Sequence, residues 1–168
     1  MTDLAVISDK LEIIEVCTRV HWCYDHQHWD GLDALFADVV AMPTLAQAAS
    51  AGFDVGRYLD EYLFSREELK RALASVQDAL ITQHLIAGHQ VRLDGDRAVC
   101  LAHSINVHLA SGRDLVAHGN DYRFDLVRTG DGWRIRGWVP QIRWSYGDEA
   151  SYDAAARQAA WRETPPDF

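Results

Sequence analysis

Cys23-Tyr24-Asp25-His26-Gln27-His28-Trp29 puts a phenol, a carboxylate and two imidazoles at the end of the most apolar helical stretch in the chain. Ile13, Cys17, Val20 and Tyr24 recur at i, i+4, i+7 and i+11, which is one helical face. Asp25 follows on its edge, in line with Ile14, Thr18 and His21. A carboxylate entering a core is costly without a partner, so a cation or hydrogen-bond donor should meet it. One candidate is local: His21 lies four residues back and can reach Asp25 on the helix surface. The other candidates are distant. His84 alternates with Thr82 and Ile86 on one face of an extended segment. His103 shares a face with Val99, Leu101, Ile105 and Val107. An imidazole on such a face points at a core or a pocket, where it is either a hydrogen-bonded core residue or a base. A carboxylate, an imidazole and a phenol meeting in an apolar pocket are the parts of general acid–base catalysis.

Other chemistries lack their residues. His26 and His28 are two apart, and the pairs His84/His89 and His103/His108 are five apart. None makes the i, i+4 helical pair of a zinc enzyme, and His89 and His108 are expected to face away from His84 and His103. No metal site is expected. There is no phosphate loop, no G-x-G-x-x-G opening a helix and no G-x-S-x-G elbow. Ser104 sits on the opposite face from His103, which excludes a serine nucleophile there.

Several elements must position these groups. Asp9 with Glu12 has capping-box form and predicts a helix over 9–25, after a looser turn. Residues 29–36 read as a short helix burying Leu32, Leu35 and Phe36, and 39–42 as a brief strand stopped by Pro43. Residues 44–64, with Tyr58, Tyr62 and Phe64, read as a loop with a helical turn, a candidate lid. Ser65-Arg66-Glu67-Glu68 is a second capping box, opening a helix to about Ala79 with an apolar stripe at Leu69, Leu73, Val76 and Leu80. Then the period changes. Strands are predicted over 81–93, 97–110, 115–128 and 133–144, joined by short glycine-bearing turns into an antiparallel meander. Alanine-rich residues 148–162 read as a closing helix.

The 168 residues are expected to form a single domain, 1–168, of α+β class, with the helices on one face of the sheet. So long a sheet should coil around the helices and leave an apolar pocket between the two. Ala98, Cys100, Ala102, Ser104 and Asn106 read as the face turned away from the helices, suited to sheet packing in an oligomer.

Composition bounds the partners. Apolar residues make up 48% and charged residues 24%, as in soluble globular domains. A net charge of −9 argues against nucleic acid or an anionic membrane surface. Three cysteines, Cys17, Cys23 and Cys100, sit among apolar neighbours without a C-x-x-C pair, so reduced core thiols and a cytoplasmic location are expected. No signal peptide is expected, and no apolar run approaches the ~18–20 residues of a membrane span.

Three of these segments also resemble a known family. Cys23 to Leu32 resembles the helix end of scytalone dehydratase, where Tyr-Asp precedes Trp-Asp-x-Leu. Thr82-Gln83-His84-Leu85-Ile86-Ala87-Gly88 is similar to its Thr-Gln-His strand, and Trp133 to Trp144 to its last strand. The resemblance covers most of residues 10–146 and places the chain near the SnoaL-like proteins of the nuclear-transport-factor-2-like superfamily. It implies a cone-shaped barrel, a curved antiparallel sheet wrapped around N-terminal helices (the cystatin-like fold). It also implies no cofactor and a homo-oligomer, a trimer favoured over a dimer. It assigns Asp25 and His84 as the catalytic dyad, Tyr24 as the phenol acting on a substrate carbonyl and His103 as a second pocket histidine. Asn120 and Asp121 fall near its substrate-binding Ser and Asn, and Trp144 near its terminal Trp. One departure is clear: the family's second carbonyl-binding tyrosine aligns with Thr44, so Tyr58 or Tyr62 is the available substitute.

The function expected is a cofactor-independent dehydratase, a hydro-lyase, acting on a small, largely apolar cyclic hydroxyketone of polyketide or steroid type. The alternatives are an isomerase, cyclase or dehydrohalogenase on the same fold, or a non-catalytic small-ligand binding module.

Overall fold

The computed structural model describes residues 3–42, 63–77, 80–110, 115–147 and residue 150. Helix α1 spans Leu4–Asp25 and a 3₁₀ turn spans Trp29–Ala34. Strands β1 (Phe36–Ala41) and β2 (Leu63–Ser65) follow, then helix α2 (Arg66–Gln77). Four long strands follow: β3 (Leu80–Asp94), β4 (Arg97–Ala110), β5 (Leu115–Thr129) and β6 (Gly132–Gly147). All six strands form one sheet in the order β2-β1-β6-β5-β4-β3, with α1 packed on its concave face. The fold is the expected α+β barrel of helices wrapped by a curved sheet.

Helix α1 begins earlier than its capping-box pattern predicts. Asp3 is the N-cap and accepts from the Ala5 N–H at 3.0 Å. The carboxylates of Asp9 and Glu12 are therefore free of capping duty, and both reach the sheet. Asp9 takes a two-pronged bond from Arg128, at 2.8 and 2.6 Å, and one from the indole N–H of Trp133. Glu12 accepts from the Trp133 backbone N–H at 2.8 Å. Trp133 itself is fully buried, so this clasp fixes how α1 lies across the sheet. The second capping box is present in both directions: the Ser65 N–H donates to Glu68 Oε2 and the Glu68 N–H to Ser65 Oγ.

The short helix expected over 29–36 is a 3₁₀ turn, and Phe36 already belongs to β1, which pairs parallel to β6. β2, which pairs with β1, falls where a loop is expected. Tyr58, Tyr62, the candidate lid over 44–64 apart from Leu63 and Phe64, and the closing helix over 148–162 apart from Ala150 lie outside the described residues. Pairing irregularities interrupt β3 between Ala87 and Gln90 and β5 after Gly119 and after Asp125. Bulges of this kind bend a sheet and let it wrap a helix. Gly88, at φ +69°, supplies the left-handed residue in the first of them.

One expectation is inverted. The inward face of β4 carries Ala98, Cys100, Ala102, Ser104, Asn106 and His108, all buried. Val99, Leu101, His103, Ile105 and Val107 face outward. A sheet curled tightly around a helix leaves little room on its concave side, so the small residues go in and the large ones are left outside.

Candidate active site

Asp25 ends α1 on the side facing β3, where Thr82 and His84 point inward. The local pairing with His21 does not form. Asp25 Oδ1 instead accepts from the His84 ring Nδ1 at 2.6 Å and from the Thr82 hydroxyl at 2.7 Å, while Oδ2 accepts from the His84 backbone N–H at 2.7 Å. Both side chains of the pair are buried, 5% exposed for His84 and 10% for Asp25. Burial pushes the Asp25 carboxyl up, but the bonds and charge of His84, with the Thr82 hydroxyl, outweigh it and hold the group below its ordinary value. An ionised Asp25 accepts only, so Nδ1 of His84 carries the proton. Nε2, the second ring nitrogen, is then the basic one and has no protein partner among the described residues.

Thr82 is itself held. The Gln77 amide, from the last turn of α2, donates to Thr82 Oγ1. A hydroxyl that accepts there has its one proton left for Asp25. Gln77, Thr82, Asp25 and His84 thus form one directed chain. Sequence reasoning missed Gln77, because a glutamine at a helix end carries no pattern.

Aromatic and polar groups surround the His84 ring. Tyr24 is buried, its ring centre 5.4 Å from that of His84. His21 lies at 5.2 Å and His108 at 5.6 Å, with His118 a further 5.2 Å beyond His108. Burial first, then the charge of His84, lowers both His21 and His108 to about 3, so both are neutral at pH 7. Asn106, opposite His84 in the β3–β4 ladder, donates to the Tyr122 hydroxyl at 2.7 Å. Asn120 faces inward too, and its amide donates to the His118 carbonyl. Among the described residues, no group of three or more His, Cys, Asp or Glu is placed to hold a metal ion.

The structure therefore brings together Asp25, His84 and Tyr24, and it buries Asn120 on the inward face of β5. It does not bring in His103, Asp121 or Trp144. His103 lies on the outer face, 71% exposed, where its Nδ1 sits 2.6 Å from Asp121 Oδ1, and Arg143 approaches the other oxygen at 3.5 Å. Trp144 is on the same outer face and covers Gly119, where a Cβ would lie 2.1 Å from the indole nitrogen. These three are corrected to surface positions, and the inward histidines of β4 and β5 are His108 and His118. Alternation within β4 contained that signal, but the face was assigned by bulk. A separate crevice, lined by Arg92, Arg97, Arg136 and Asp125, lies toward the β3–β4 turn and holds none of the site residues.

Among the described residues no helix is long and apolar enough to cross a membrane. The sequence matches the model of the SnoaL-like domain over residues 5–139. It is 30% identical to the uncharacterised protein Rv2910c of Mycobacterium tuberculosis over 138 residues, 80% of this chain and 86% of that one. In structure it is similar to a candidate scytalone dehydratase from Novosphingobium aromaticivorans, at TM-score 0.69 and 14% identity, covering 99% of this chain and 97% of that one. It is also similar to the hexachlorocyclohexane dehydrochlorinase LinA-type3 from Novosphingobium barchaimii, at TM-score 0.71 and 10% identity, over 98% of this chain and 100% of the other. At these identities the structural likeness is one of fold.

Proposed function

The chain belongs to the SnoaL-like domain family, and on that premise we propose that it is a hydro-lyase acting on a small, largely apolar cyclic hydroxyketone. The observation that carries this reading is the buried Asp25–His84 pair, whose second ring nitrogen has no protein partner among the described residues. His84 Nε2 takes the proton alpha to the substrate carbonyl. Electrons from that C–H bond move into an enolate, and the Tyr24 hydroxyl, directly or through water, stabilises its oxygen. The enolate then reforms the carbonyl, a C=C bond forms, and the C–O bond to the beta hydroxyl breaks. The His84 imidazolium returns its proton to that hydroxyl, which leaves as water. Asp25 fixes the tautomer and stabilises the imidazolium throughout.

A second reading keeps the pair and changes the leaving group. Removal of a proton followed by loss of chloride needs the same base and no returned proton, and a dehydrochlorinase is among the proteins of this fold. Isomerases and cyclases also begin with that proton. A panel of cyclic beta-hydroxyketones and beta-haloketones, followed by enone absorbance, separates the readings. His84→Ala and Asp25→Asn should each lower turnover about 10²–10⁴-fold. Wild-type turnover by His84→Ala would remove His84 as the base. Loss of stability alone in both variants, with no turnover by the parent, would leave a small-ligand binding module.

The reading includes a homo-oligomer, a trimer favoured. Ile81, Leu85, Ile105, Leu115, Trp144 and Tyr146 are 45–75% exposed. The outer sheet face that bears Ile105 and Trp144 is where a second copy would pack.

A further inference from the structure

The wall beside His84 holds a second imidazole that the proposed reaction does not use. His21 is 1% exposed and lies on the inward face of α1. Its Nδ1 sits 3.1 Å from the carbonyl oxygen of Cys17, one turn back. A carbonyl only accepts, so Nδ1 carries the proton. The ring is neutral, since burial and then the charge on His84 push its pKa down to about 3. A neutral imidazole has one N–H, so Nε2 is a bare acceptor. It meets no donor among the described residues. A buried acceptor without a donor is a costly feature that water or a ligand ordinarily relieves.

Its surroundings point to a ligand. The His21 ring centre is 5.2 Å from that of His84, 4.9 Å from Tyr122 and 5.4 Å from Trp138. Asn106, the ladder partner of His84, repeats the pattern. Its Nδ2 is committed to the Tyr122 hydroxyl, and its Oδ1 has no donor among the described residues. Two acceptors in want of a proton thus lie near one base. An apolar ring or an ether leaves both unsatisfied, whereas a ring bearing an O–H can supply what they lack.

We infer that His21 Nε2, oriented by the Cys17 carbonyl, is a specificity-determining acceptor for a ligand hydroxyl, so that the pocket selects hydroxylated rings over their ethers. This rests on reading the Asp25–His84 pocket as the ligand site. The test reads binding and not turnover, so the two can fail separately. 1-Naphthol and 1-methoxynaphthalene differ in the O–H donor, and each is titrated by NMR into the intact protein and into His21→Phe. The parent should prefer the naphthol by about tenfold, the size of one hydrogen bond to a buried acceptor. The phenylalanine variant should bind the two about equally, with methoxynaphthalene affinity unchanged. In the parent, the ¹⁵N resonance of His21 Nε2 should begin as that of an unprotonated nitrogen and move with naphthol alone. Equal affinities in the parent, a preference that survives His21→Phe, or an Nε2 resonance that is protonated or unmoved would each overturn the inference. The resonance decides the matter even if the variant does not fold.

Discussion

Three donors converge on the Asp25 carboxylate, and they determine what the pair can do at a given pH. Because its pKa is depressed, the stabilisation it contributes is full above the ordinary carboxylate range and is lost as pH falls through the lowered value. Asp25 therefore keeps its charge to lower pH than an ordinary carboxyl group. A base must be unprotonated to act, so turnover should fall on acidification, and a flat pH profile would reject a histidine base. Thr82→Val keeps the side-chain shape but removes one donor from Asp25 and the acceptor of Gln77. A hydrogen bond to a charged group contributes about 1.5–3 kcal/mol, so kcat should fall roughly ten- to hundredfold with KM little changed. An unaltered kcat would make Thr82 purely structural. Asp25, Tyr24 and His84 were legible in the sequence because helical and strand periods each fix a direction. Gln77 and Thr82 act through other residues, and no period marks that role.

At the scale of the element, the capping boxes show when a pattern can be trusted. Ser65 and Glu68 exchange bonds as their spacing predicts, while Asp9 and Glu12 have the same spacing and face the sheet instead. The difference lies upstream. Asp3 supplies a cap six residues earlier, and Arg128 with Trp133 offers the two carboxylates better partners across the core. Ser65→Ala should lower unfolding stability by about 1 kcal/mol, measured by urea denaturation. It should also lower turnover slightly, since α2 carries Gln77. No stability change would mean that the box is held by its neighbours alone. The four long strands were legible to within a few residues because alternation and glycine turns bound them. Their sidedness was not. Bulk suggested that Val99, Leu101 and Ile105 face the core, but curvature decided otherwise.

For the whole molecule, that curvature puts polar groups inside and apolar ones outside, with two consequences. Inside, His21 and His108 are neutral when folded and take up protons once unfolded, so the unfolded chain binds more protons below about pH 6.5. Stability should fall between about pH 6.5 and 3, by up to about 1.4 kcal/mol per pH unit for each. His21→Phe should flatten the slope seen in denaturant midpoints, and an unchanged slope would assign the acid sensitivity elsewhere. Outside, large apolar side chains on the face that also bears His103, Asp121 and Arg143 give one surface both apolar area and charges of both signs. A surface with both signs can pair with its own copy, whereas a partner of one charge would meet repulsion over half of it. An exposed apolar patch of this kind is unusual on a monomer. Light scattering of the eluted protein at micromolar concentration should therefore give a multiple of 19.0 kDa. Leu85→Arg with Ile105→Glu should reduce it to the single-chain mass without disturbing the Asp25–His84 pair, whose side chains lie on the inner face. A parent that elutes as a monomer would sink the self-association, and the outer face would then need a different partner.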